Sequence, residues 1–214
     1  MNKNHKTLTK TETTAGVEYL QNIDEKLGLL ITEFGIPDFN TSDNYFESLT
    51  RAIIFQQLSG KAASTIYKRF LNIYHSKNFP SPKLVAKTDI MLFRQAGLSN
   101  RKASYIISLA EAFKRDNYIP KDMTILSNEQ ISEKLIAVKG IGHWTADMFL
   151  MFSLNRPDVF PLTDLGIQKG MKEFFNLKDI PSEKKMLKLS NKWKPYRSIA
   201  SWYMWKIVDD GFQW

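Results

Sequence analysis

The residues of this chain best suited to chemistry lie between positions 135 and 164, in the run LIAVKGIGHWTADMFLMFSLNRPDVFPLTD. It holds a glycine turn, Lys139-Gly140-Ile141-Gly142, and a lone acid, Asp164, delivered by a proline-containing loop. Glycine reaches φ > 0 at little cost, so two glycines around one aliphatic residue allow a tight hairpin between helices. Their bare backbone also lets another chain approach closely. The amides of Gly140, Ile141 and Gly142 would then lie at the N-terminus of a helix starting near His143. Free N–H groups and the helix dipole both favour an anion such as a phosphate there. Asp164 stands just before an apolar-periodic segment. It either caps that helix or, with Thr163 sharing the capping role, leaves its carboxylate free to face a cleft. Asp147 and Asp158 are weaker candidates, the first inside the helix after the hairpin and the second in a loop.

The elements that position these groups read as helices throughout. Val17, Leu20, Ile23, Leu27, Leu30 and Ile31 recur at helical spacing and predict one helix over 17–34, stopped by Gly35, Pro37 and Asp38. Ser42 or Asp43 can cap the next, which runs to Gln57. After a break at 56–61, helices are expected at 62–75, 83–86, 89–95 and 100–115. Ser127, with Gln130 in the capping-box position, starts a helix over 129–137. Further helices follow at 143–153, 165–175, 182–193 and 196–209. No segment alternates with period two, so the fold class is all-α with about ten helices. Leu58 is a large apolar group in a polar turn, which suits a core contact beneath the turn or an exposed role. Arg101 and Lys102 oppose the dipole of their helix, as solvated charges or as phosphate contacts.

Composition bounds the partners. The 214 residues carry 43% hydrophobic and 13% aromatic side chains, enough for a sizeable core. A net charge of +8 and a pI near 9.5 suit a polyanion, nucleic acid above all. Zero cysteines exclude disulfides, thiolate zinc sites and cysteine-ligated iron–sulfur clusters. His5, His75 and His143 are too scattered to suggest a metal site. No stretch approaches the ~20 apolar residues of a membrane span, and the polar start lacks a signal core, so a protein with a frayed tail over 1–13 is expected, cytoplasmic in a bacterium or archaeon and nuclear in a eukaryote.

VKGIGHWTADMFL followed by DVFPLTDLGIQKG resembles the helix-hairpin-helix DNA glycosylase superfamily, named for that hairpin and a glycine-proline-aspartate signature. Within it the chain looks most like the alkylpurine branch, the bacterial 3-methyladenine DNA glycosylase II and its fungal relatives. QQLSGKAA near 60, GLSNRKASYI near 100 and PYRSIASWYMW near 200 extend the resemblance over most of the chain after about residue 40. It implies two lobes around a DNA-binding cleft within a domain over 14–214. The hairpin lobe is expected over approximately 60–175, and the N- and C-terminal helices form the other.

The resemblance also implies roles. Asp164 is the catalytic acid, and Trp144, Tyr196 and Met148 fall where relatives place base-pocket aromatics; Met148 departs from that pattern. Core packing is the alternative for Trp144 and Tyr196, and the expected role of Trp202, Trp205 and Trp214. Leu58 becomes a wedge that fills the gap left by a flipped nucleotide, with Gln57 and Ser59 beside it. Lys139, Gly140, Ile141, Gly142, His143, Thr145 and Lys61 become phosphate contacts. Backbone carbonyls of Lys139 and Ile141 are expected to hold a monovalent cation, Na⁺ or K⁺, with no other cofactor. Bifunctional members carry a Schiff-base lysine at the position of Trp144, and lysine is absent from 143 to 156. The expectation is a monofunctional, monomeric enzyme acting on alkylated bases in double-stranded DNA. A glycosylase for other damaged bases and a non-catalytic DNA binder are the competing readings.

Overall fold

The computed structural model describes residues 7–39, 44–58, 60–76, 78–115 and 123–208. Most helix starts are set by a side chain that accepts a first-turn amide. Thr9 caps α1 (Lys10–Ile23), Asp24 caps α2 (Glu25–Phe34) and Asn44 caps α3 (Tyr45–Phe55). α4 spans Gly60–Asn72. Ser81, Asp89 and Ser99 start α5 (Pro82–Val85), α6 (Ile90–Gln95) and α7 (Asn100–Lys114). Ser127 and Gln130 close the capping box of α8 (Asn128–Ile136). There follow α9 (His143–Phe152), α10 (Leu165–Phe174), α11 (Glu183–Ser190), a 3₁₀ turn (Asn191–Trp193) and α12 (Arg197–Ile207). Among the described residues there is no strand, and the fold is all-α.

Three expectations about the first helices change. The helix foreseen over 17–34 is two, because Asp24 adopts an extended backbone (φ −145°, ψ 100°) and caps the second. The apolar spacing runs through the break, which hides it from periodicity. Residues 7–13 are not a frayed tail: α1 begins at Lys10, and Leu8 is 1% exposed in the core. Ser42 and Asp43, foreseen as caps, lie outside the described residues, and Asn44 takes the role.

One continuous apolar core joins the helices, and their contacts form two groups. α3 meets α4, α7 and α9, α5 and α6 lie on α7, and α8 pairs with α9. α12 packs along α10 and touches α1 and α2. The hairpin group therefore begins at α3 and ends before α10, one helix earlier at each end than the sequence boundary of 60–175. Phe46 of α3 sets its ring against Phe79 and against Phe113 of α7. Gly170 lets α10 approach α12: a β-carbon there would lie 2.2 Å from the Met204 carbonyl oxygen.

Polar side chains after α9 tie the groups together. Asn155 donates to the carbonyls of Leu8 and Phe39, and Arg156 Nη2 donates to those of Met123, Thr124 and Leu126. Both are buried, so these bonds are made where water cannot replace them.

Candidate active site and nucleic-acid interface

The hairpin between α8 and α9 uses its glycines differently. Gly140 sits at φ +97°, and a β-carbon there would fall 2.1 Å from Cγ of Tyr105. It is required by backbone angle and by the ring packed against it. Gly142 has ordinary extended angles (φ −104°, ψ 179°), and an added β-carbon would meet nothing within 4 Å. Between them Ile141 anchors the turn, 4% exposed, its amide donating to the Val138 carbonyl at 3.1 Å. That amide is therefore spent inside the hairpin rather than offered to an anion. α9 begins with no side-chain cap and no acid in its first turn, and Lys139, Gly142 and His143 are exposed around it.

Gln56, at the end of α3, fixes the hairpin from behind. Its Nε2 donates to the Gly140 carbonyl at 3.1 Å and to Thr145 Oγ1 at 3.0 Å. Thr145 is 1% exposed, so its hydroxyl serves this buried contact and is withdrawn from the phosphate set expected of it. Gly140, Val138 and Gly142 carbonyls accept Gln56 Nε2, Ile141 N and Ala146 N. The carbonyls of Lys139 and Ile141 take no donor among the described residues.

Asp164 is gripped from three sides. Oδ1 accepts the Ile167 amide and Trp205 Nε1, each at 2.8 Å, and Oδ2 accepts Trp144 Nε1 at 2.6 Å. Thr163 does not relieve it of capping: Asp164 itself caps α10 and, although only 8% exposed, also lines a cavity of about 680 Å³. The two roles that the sequence sets against each other belong to one carboxylate. Gln57, Arg101, Tyr105, Trp144 and Trp205 share the cavity wall. Its size lies within the range of small-ligand sites. One turn beyond Trp144, burial and the Asp164 charge push the Asp147 carboxyl up to about 7.

The remaining residues singled out in sequence fall in different places. Leu58 is 40% exposed rather than buried under its turn. Gln57 lies at φ +56° and faces the cavity, while Ser59 lies outside the described residues. Lys61 is exposed on α4. Met148 is 0% exposed in the core and does not line the cavity, because its turn of α9 faces inward. Tyr196 is not on the cavity wall either; its ring packs 5.5 Å from Tyr19 and against Gly16 of α1. Asp158 is paired with Arg197 at 2.5 Å.

Lys102 is neither a solvated charge nor a free phosphate contact. Its Nζ donates to the Ile54 and Gln56 carbonyls at 2.7 Å each, capping α3, and burial lowers its pKa. Arg101 beside it stays exposed at the cavity mouth, bonded to the Tyr105 hydroxyl. The part played by Gln56, and the contacts that Lys102 and Trp205 make, were not foreseen in the sequence. Gln56 stood next to the Leu58 turn and Lys102 opposed its helix dipole, which were usable hints. Trp205 left none among the other aromatics of α12.

A helical fold with a glycine hairpin facing a carboxylate across a cleft is that of a recognised class, and the chain belongs to it: residues 50–195 match the HhH-GPD superfamily of base excision DNA repair proteins. Among individual relatives it is 38% identical to DNA-3-methyladenine glycosylase 1 of Schizosaccharomyces pombe, over 92% of this chain and 88% of that protein. It is 33% identical to the alkylbase DNA glycosidase-like protein mag2 of the same yeast, over 89% and 91% of the two chains. The solved complex of the S. pombe 3-methyladenine DNA glycosylase Mag1 with abasic DNA superposes with a TM-score of 0.84 at 36% identity, covering 93% of this chain and 100% of that one.

Proposed function

We propose that this chain is a monofunctional DNA glycosylase that removes alkylated purines, 3-methyladenine and 7-methylguanine, from duplex DNA and leaves an abasic site. The observation that carries the reading is the Asp164 carboxylate, held by two indoles on the wall of a cavity that is beside the hairpin and roomy enough to admit a nucleobase with its sugar. Breaking an N-glycosidic bond develops positive charge on the sugar. A fixed carboxylate stabilises that charge and orients the water that adds at C1′. The bonding electron pair leaves with the base, which departs neutral when alkylation has already made it cationic. One acid then suffices.

Trp144 at the position of the superfamily's Schiff-base lysine supports hydrolysis without strand cleavage. Its ring offers an electron-rich face to a cationic base, an attraction worth about 0.5–2 kcal/mol. The exposed Leu58, with Gln57 beside it, supports a wedge into the base stack. Lys139, His143, Gly142 and Lys61 form the phosphate-facing surface, and the open carbonyls of Lys139 and Ile141 support a monovalent cation bridging to the backbone. The chain needs no partner subunit for this site and acts as a monomer.

The test is base release from methylated duplex DNA. Free 3-methyladenine or 7-methylguanine, with strands intact until alkali is added, is the expected result. Release of hypoxanthine or ethenoadenine alone would move the chain to another damaged base, and binding without any release would make it a DNA-binding protein only.

A further inference from the structure

Asp164 is held more firmly than a helix cap requires. The Ile167 amide on Oδ1 already completes the cap of α10. The same oxygen also accepts Trp205 Nε1 at 2.8 Å, from a side chain only 4% exposed on α12. That reach depends on the approach of α12 to α10. A β-carbon at Gly170 would lie 2.2 Å from the Met204 carbonyl oxygen, so the backbones touch at the residue before Trp205.

A second aspartate shows the same grip serving packing alone. Asp24 caps α2, accepts Trp193 Nε1 at 2.8 Å and pairs with Lys192 at 2.7 Å, so its charge is cancelled. Asp164 has the indoles but no lysine or arginine paired with it among the described residues, and it lines the cavity. Two neutral donors fix the direction of its charge without cancelling it. Trp144 is partly exposed in the cavity wall, where an entering base touches it. Trp205 also borders the cavity but is only 4% exposed, so it offers an entering base far less surface than Trp144 does.

We propose that Trp205 is a positioning residue: its indole N–H, brought within reach by the α10–α12 contact at Gly170, holds the Asp164 carboxylate toward C1′ of the nucleotide in the cavity. This rests on the glycosylase reading above.

Trp205→Phe keeps the ring in the core and removes the donor. Single-turnover release of 7-methylguanine from methylated duplex should slow by about tenfold or more, the scale of one hydrogen bond to a charged group. Affinity for duplex carrying a tetrahydrofuran abasic analogue should stay within about twofold, because the phosphate surface is untouched. Trp202→Phe, elsewhere on α12, should leave the rate at the wild-type value. The deciding arm repeats Trp205→Phe in an Asp164→Asn background, followed over long incubations. A residue acting only through the carboxylate should there change the residual rate by less than about twofold. An equal loss in both backgrounds would make Trp205 merely structural and overturn the inference, as would wild-type rates for Trp205→Phe itself. Trp205→Tyr, which also lacks a donor at that ring position, repeats the test in a second fold-preserving variant. Absence of release by the wild type would sink the glycosylase reading, and this inference with it; normal release by both wild type and Trp205→Phe would sink the inference alone.

Discussion

Replacing Gly140 with alanine should destabilise the protein, whereas the same change at Gly142 should spare the fold and weaken DNA binding. Alanine at Gly140 must hold φ near +97°, a strained backbone region that costs about 1–3 kcal/mol. Its β-carbon also meets Cγ of Tyr105 at 2.1 Å and Cβ at 2.5 Å, so the ring must move; such overpacking adds about 1–3 kcal/mol. The sum, about 2–6 kcal/mol, is a large part of the ~5–15 kcal/mol that holds a domain folded. At Gly142 the angles suit any residue and the space is open. A weaker cap is there offset by a stiffer unfolded chain, leaving stability within about 1 kcal/mol. The new methyl instead stands on the exposed hairpin surface, where a phosphate must come close. Urea unfolding and fluorescence anisotropy with an abasic-analogue duplex measure the two effects. The expected pattern is a lower urea midpoint for Gly140→Ala only, and at least about tenfold weaker binding, or 1.4 kcal/mol, for Gly142→Ala. Equal destabilisation by both changes, or wild-type DNA affinity for Gly142→Ala, would refute the division of labour.

Other consequences follow from single residues. Leu58→Ala removes a side chain that is 40% exposed, so thermal stability should shift by no more than about 0.5 kcal/mol. Excision from duplex DNA should slow about tenfold or more as the stacking gap, worth a few kcal/mol, goes unfilled; an unchanged rate would argue against the wedge. Lys102→Met strips the donor from two carbonyls at the end of α3 and should cost about 1.5–3 kcal/mol in urea unfolding, at the lower end because the amine is only half-buried. Asp147 gives a pH dependence. Its folded pKa is raised to about 7 from 3.8, so the folded state binds the proton more tightly and stability falls as pH climbs between those values. Asp147→Asn should therefore gain stability over wild type at pH 8 by a few kcal/mol and show little gain near pH 4, read from paired melts. Equal gains at both pH values would contradict this assignment.

Much of the site was legible because its parts are local. The glycine hairpin, the Ser127–Gln130 capping box and an acid at the start of α10 are each specified within a few residues. What escaped depends on contacts far apart in sequence. Gln56 reaches Gly140, Lys102 reaches back to α3, and Trp205 reaches Asp164 only because Gly170 lets two helices close up. None of these leaves a periodicity. Met148 and Tyr196 were assigned from the pattern of relatives rather than from their own surroundings. In this chain the turn of α9 at Met148 points into the core, and Tyr196 stands against α1. The break at Asp24 shows the converse: apolar spacing persisted where the backbone did not.

The most direct test of the account compares base release by wild type and Asp164→Asn on methylated duplex DNA, alongside their affinity for an abasic-analogue duplex. Asparagine can still cap α10 and accept Trp205 on its oxygen, so the variant should fold. Its amide faces the Trp144 N–H with a donor and brings no charge to the sugar. Release of 3-methyladenine and 7-methylguanine by the variant should collapse while its DNA affinity is kept or rises. Release at the wild-type rate by Asp164→Asn, or loss of folding and binding together with activity, would show that Asp164 is a cap and not the acid at the centre of the reaction.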